Sequence, residues 1–188
     1  MKRLTVCVVV IMLIGAAASL PFLLNAGFGQ APKGAQLSQV EQSPHYRDGQ
    51  FHNQVPTPGY TGNKSMLAAW WEFLVAKREN ARPAHPLPLV ATDLAGLSPE
   101  QDTLVWLGHS SWYLQLAGQR ILIDPVFSNY AAPLSFLNKA FVGDYPWSAQ
   151  TMPEIDLLII SHDHYDHLDL ATIKALMPKI KRVITPLG

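Results

Sequence analysis

The stretch Ser161-His162-Asp163-His164-Tyr165-Asp166-His167 sets three imidazoles and two carboxylates directly behind the apolar run Ile155-Asp156-Leu157-Leu158-Ile159-Ile160. The run is short, rich in branched side chains and almost continuously hydrophobic, which predicts a strand buried on both faces. Ser161 to His167 is then the loop at its carboxyl end. Residues two apart in extended chain project to one side, so His162 and His164 can aim two nitrogens at one ion. Where the chain turns, Asp166 and His167 offer an oxygen and a nitrogen to a neighbouring position. Imidazole and carboxylate without thiolate suit zinc, manganese or iron, and spacing does not choose among them. The alternative is a solvated loop that happens to be rich in His and Asp. Its placement argues against that. Asp169 is a candidate N-cap, and Leu170, Ile173, Leu176 and Met177 share one helical face before Pro178.

Upstream, Thr103–Leu107 and Trp112–Leu116 have the composition of strands, and Ala117-Gly118-Gln119 is a short turn into Arg120-Ile121-Leu122-Ile123. A β-meander therefore leads to Asp124-Pro125. His109 follows Gly108 at the end of the first of these strands. Ser110 and Ser111 lie in no Gly-x-Ser-x-Gly turn and are not credible nucleophiles. The long segment from Ser128 to Gln150 interleaves Tyr130, Phe136, Phe141, Tyr145 and Trp147 with Pro133 and Pro146. Such a loop either walls a substrate channel or packs its aromatics on the sheet.

Three blocks carry a family resemblance: Trp106-Leu107-Gly108-His109-Ser110-Ser111, Leu122-Ile123-Asp124-Pro125-Val126-Phe127-Ser128, and Ile160 through Asp169 with its His-x-His-x-Asp-His core. In order and spacing the chain resembles the metallo-β-lactamase-fold hydrolases, and within them the branch of the N-acyl-phosphatidylethanolamine phospholipases D. The resemblance runs from about Asp48 to Gly188, weakly before Leu104 and strongly after it. It implies an α/β (α+β) fold, a four-layer αββα sandwich of which this chain holds the N-terminal half, with two divalent ions, usually zinc, at the edge of the sheets. His162 and His164 would hold the first ion, and Asp166 and His167 the second. A metal-bound hydroxide would attack a phosphodiester phosphorus, with Asp166 as the catalytic residue that takes or returns a proton. The implied substrate is an N-acyl-phosphatidylethanolamine-type lipid, with another phosphodiester or a lactone as the alternative. Asp124 would stand behind the metals and orient a ligand imidazole, or else cap the following turn. His109 would approach the same cavity as a substrate-side contact, or serve as a satisfied structural histidine.

In that family the remaining metal ligands lie beyond the position of Gly188. The expectation is therefore a truncated frame that supplies about half a site, and a non-catalytic, membrane-anchored metal-binding remnant stays open beside the enzyme. Half a sandwich also exposes the inner face of its sheet, a surface for self-association. Lys and Arg together number 14 and Asp and Glu 14, so the formal net charge is zero and no nucleic-acid partner is expected.

Lys2-Arg3 precedes the apolar run Leu4 to Leu24, long enough to cross a bilayer. Gly15-Ala16-Ala17-Ala18-Ser19 offers the small residues of a cleavable signal peptide as the rival reading. Either way the catalytic part is expected outside the cytoplasm, membrane-anchored or exported, which in a bacterium means periplasm or cell envelope. Cys7, the single cysteine, lies inside this run and can form no intrachain disulfide. Residues 1–30 thus read as signal or anchor, 31–100 as linker, arm and helix, and 101–188 as the N-terminal part of the catalytic domain. Within the middle segment Leu67, Trp70, Trp71 and Leu74 mark an amphipathic helix. Such a stripe is more often core than a lipid-facing surface.

Overall fold

The meander predicted from the sequence forms three strands of a five-stranded mixed sheet. In the computed structural model, which describes Gly15 and residues 29–76, 79–143 and 145–188, strands β3 (Thr103–Gly108), β4 (Ser111–Leu116) and β5 (Gln119–Ile123) pair antiparallel in order. Strand β6 (Leu157–Ile159) then adds parallel to β5, and β7 (Val183–Ile184) parallel to β6. Helix α3 (Leu170–Leu176) lies between β6 and β7 in the chain, so the last two strands form a βαβ unit.

Side chains in register across a sheet share a face, and the rows here are sharply unequal. In the row Val105, Tyr113, Leu122, Leu158 and Val183, the central Tyr113, Leu122 and Leu158 are fully buried. They form the core with Met152, Ile155 and Leu176. The neighbouring row, Trp106, Trp112, Ile123, Ile159 and Ile184, is just as apolar, yet Trp106 is 51% and Ile184 53% exposed. Leu104, 61% exposed, heads a further row through Leu114, Ile121 and Leu157 on that same open face. The expectation of a β6 buried on both faces is corrected here: Leu158 is buried, whereas Leu157 and Ile159 are half-buried because they look out on the open face.

The β4–β5 hairpin closes through Ala117 and Gly118, both at positive φ (49° and 75°), with Leu116 paired to Gln119. Two left-handed residues match the twist of the flanking strands, and alanine is strained in that region. At this same end of β5, Asp156 accepts the Arg120 N–H at 2.9 Å and Lys181 Nζ at 2.7 Å. The bond from the Arg120 backbone, then that from Lys181, holds its carboxyl below the usual range.

Helix α3 starts where expected, with Asp169 Oδ1 accepting from the Ala171 N–H at 3.1 Å. Its buried residues are Thr172 and Leu176 rather than the whole predicted stripe, and Leu170 and Met177 are exposed. Pro178 sits in a 3-10 turn, Met177–Lys179, that ends the helix.

Residues 32–90 belong to a second unit. It contains α1 (Ala35–Glu41), a hairpin of β1 (Tyr46–Arg47) and β2 (Gln50–Phe51), and α2 (Met66–Val75). Asp48 and Gly49, at φ 53° and 78°, make the two-residue hairpin turn that an Asp-Gly pair favours. Helix α2 is capped by Ser65, whose Oγ accepts from the Ala68 N–H at 3.2 Å. None of its residues is buried, and Trp70 and Trp71 are 58% and 67% exposed, so the expectation that this stripe is core is corrected. The segment Leu4–Leu24, expected to be an anchor or signal, lies outside the described residues apart from Gly15. Among the described residues no helix is long and apolar enough to cross a membrane.

Leu158→Ala should lower stability by about 2–5 kcal/mol through transfer loss and a residual cavity. Ala117→Asn should raise it by about 0.5–1 kcal/mol by relieving the left-handed alanine. Urea unfolding of both variants measures the two effects.

Candidate metal centre

Strand direction brings the chemistry together. Strand β3 runs antiparallel to β4 and β4 to β5, so β3 and β5 point the same way, and β6 runs parallel to β5. The carboxyl ends of β3, β5 and β6 therefore share one edge of the sheet. His109 follows β3, Asp124 follows β5, and the Ser161–His167 loop follows β6.

Asp124 is 4% exposed and backbone-strained at φ 44°. Its Oδ1 accepts the Ser161 N–H at 2.7 Å, and its Oδ2 accepts Ser161 Oγ at 2.6 Å and His167 Nδ1 at 2.8 Å. Burial alone would raise its pKa, but the bonds from His167 and Ser161 together outweigh burial and hold the carboxyl below the usual range.

These bonds settle which ring nitrogens are free. A carboxylate only accepts, so His167 Nδ1 carries the proton and Nε2 keeps its lone pair. Ser161 gives its hydroxyl proton to Asp124 and can therefore only accept at 2.9 Å from His162 Nδ1. That leaves His162 Nε2 as a second available donor. The rings of His162 and His167 lie 3.9 Å apart by centroid, and those of His162 and His164 4.6 Å. The three histidine rings of the motif thus lie side by side.

Asp166 is held at both ends. Its carbonyl accepts Ser110 Oγ at 2.6 Å, and its Oδ2 accepts His109 Nε2 at 2.7 Å. The turn that presents it is closed by His167 N–H and Leu168 N–H, both donating to the His164 carbonyl. Burial would raise the Asp166 pKa; the bond from His109 and its own loop backbone, with the nearby imidazoles, bring it below the usual value. His109, also at positive φ (45°), has its carbonyl held by Trp106 Nε1 at 2.8 Å. One donor atom each from His109, Asp166 and His167 lies within 4.8 Å of the others, the one such group of three or more among the described residues.

Each candidate from the sequence thus reaches the same edge. Asp124 hydrogen-bonds the His167 imidazole across 43 residues of chain, which a local turn cap would not do. Ser161 was missed as a functional residue: it relays the Asp124 carboxylate to His162, and a hydroxyl directly ahead of the first histidine was the available signal. Ser111 was also missed; its Oγ donates to the Asp124 carbonyl at 2.7 Å and receives the Val126 N–H at 3.0 Å, fixing the turn that delivers Asp124. Imidazole nitrogens freed by second partners, beside a carboxylate, form a donor set that fits a divalent transition cation.

The profile described as Beta-lactamase superfamily domain matches residues 103–188. Residues 103–188 thus match the metallo-β-lactamase superfamily. Among relatives of this chain, an uncharacterized protein of Mycobacterium tuberculosis is 36% identical over 174 residues, covering 89% of this chain and 46% of that protein. The N-acyl-phosphatidylethanolamine-hydrolyzing phospholipase D 1 of Caenorhabditis elegans is 37% identical over 86 residues, 44% of this chain and 24% of that protein. A UPF0173 metal-dependent hydrolase of Caldivirga maquilingensis is 37% identical over 65 residues, 35% of this chain and 23% of that protein. The chain spans less than half the length of these relatives.

A depressed Asp124 pKa stabilises the fold above the unfolded carboxyl value of about 3.9, and that stability is lost as pH falls through the folded value. Asp124→Asn suits the left-handed backbone at this position. Its urea midpoint should fall below wild type at pH 7 and change less than wild type does between pH 7 and pH 3.

Proposed function

We propose that this chain belongs to a hydrolase that cleaves a phosphodiester in an N-acylated phospholipid, with divalent ions held by His162, His164, Asp166 and His167. The observation that carries the reading is the Asp124–Ser161 pair, which presents lone pairs on His162 and His167 beside the Asp166 carboxylate. Zinc is the preferred ion, since three imidazoles and a carboxylate suit its nitrogen-rich coordination. When bound, the ions would supply Lewis acidity toward a phosphoryl oxygen and acidify water. The chain's own residues do the rest. Asp124 and Ser161 fix the imidazoles, His109 and Ser110 hold Asp166, and Asp166 is placed to accept or return a proton at its Oδ2. The lipid class rests on the similarity to proteins named for hydrolysing N-acyl-phosphatidylethanolamine.

The apolar run Leu4–Leu24 supports a place at the outer face of a membrane, and the exposed tryptophans of α2 suit a headgroup region. A reporter enzyme active only outside the cytoplasm, fused after Gly188, should be active; activity confined to a cytoplasmic reporter refutes that placement.

Incubation with N-acyl-phosphatidylethanolamine vesicles should release phosphatidic acid, stop after chelation, and resume with added zinc. Asp166→Asn should slow release by about 10²–10⁴-fold. Turnover of a lactone but not the lipid would favour the other hydrolytic class. Metal uptake without any turnover would identify a metal-binding remnant.

A further inference from the structure

The donor set that the sequence pairs as Asp166 with His167 has a third member supplied from another strand. His109 Nε2 lies 2.7 Å from Asp166 Oδ2, and His167 Nε2 lies 3.8 Å from the same oxygen. Ligand atoms about 2.0–2.2 Å from a tetrahedral ion are separated from one another by about 3.4 Å. The two observed edges bracket that value, and all three donors already fall within 4.8 Å. Seating an ion among them requires no backbone rearrangement, only that the His109 proton leave Nε2, with the ring taking its Nδ1–H tautomer, so that the Nε2 lone pair faces the ion.

The surroundings hold these donors in place. His167 is fixed through Nδ1 by Asp124, so its Nε2 faces the cluster. Asp166 is clamped at its carbonyl by Ser110, and His109 at its carbonyl by Trp106. His109 itself occupies a left-handed backbone position that a non-glycine residue adopts infrequently, directly after Gly108 at φ 110°. The strained turn swings the imidazole back across the sheet edge to a residue 57 positions away. The His109 side chain is 63% exposed, which leaves a route for an ion and for exchangeable water.

We infer that His109, Asp166 and His167 form a three-donor site for one divalent first-row cation, with His109 as a ligand and not merely the hydrogen-bond partner of Asp166. The inference rests on the metal-centre reading above and deepens it. Among the described residues, His162 and His164 then provide a second position with two donors, weaker than the first by that donor count. Binding is stepwise in this chain, the first ion entering at His109, Asp166 and His167.

Zinc titration of the full chain against a competing chelator separates the two steps. His109→Asn keeps the left-handed turn accessible and should weaken the tight step by about 10–100-fold or more. His164→Asn should leave that step unchanged and remove the weak one. Asp166→Asn and His167→Asn are the reference variants. If they weaken the tight step while His109→Asn superimposes on wild type, His109 is no ligand and the metal centre stands without it. If all four superimpose on wild type, the metal centre itself is refuted. Circular dichroism without metal checks that His109→Asn is folded. Should it not fold, side-chain nitrogen NMR of the wild-type chain decides: a zinc-induced shift of a His109 ring nitrogen into the coordinated range supports the site, and an unshifted His109 overturns it.

Discussion

A single buried carboxylate organises the candidate centre. Asp124 accepts from the Ser161 backbone, the Ser161 hydroxyl and the His167 imidazole, and it is almost wholly shielded from water. Removing a charge from solvent is unfavourable unless donors replace the lost hydration, and here they come from a different strand end. The same bonds that compensate its burial tie the end of β5 to the loop after β6. They also dictate which nitrogen of His162 and of His167 keeps a lone pair. Fold closure and imidazole orientation are one interaction.

Sheet topology explains why so few residues suffice. Three strand ends meet at one edge because an antiparallel meander is followed by a parallel addition. Two of the residues leaving those ends, His109 and Asp124, occupy left-handed backbone positions that a regular strand would not adopt. Each turns the chain sharply, so that its side chain returns toward the loop after β6. Strain at such positions persists because the surrounding hydrogen bonds over-determine them. Ser111, buried beneath Asp124, shows the same economy by bracing the turn on both sides.

The sheet is covered on one face and open on the other. Tyr113, Leu122 and Leu158 make the closed core, while Trp106, Trp112 and Leu104 face outward with their neighbours. Contiguous apolar surface of this kind is uncommon on isolated domains and fits an architecture of stacked layers. It also accounts for the almost unbroken hydrophobicity of β6, which suits a layer meant to be sandwiched.

Local sequence determined strands β3 to β6, the hairpin turn at Ala117-Gly118, the Asp169 cap and the histidine motif, because each depends on periodicity or on residues near in the chain. The Asp-Gly pair at Asp48-Gly49 is an equally local hairpin signal. Only the tertiary structure decided that Ser161 fixes two imidazoles through Asp124, that His109 reaches Asp166, and that the tryptophans of α2 remain exposed. Those facts depend on which strand ends become neighbours and on which surfaces find a partner. Spacing along the chain carries no such information when the partners lie 37 to 57 residues apart.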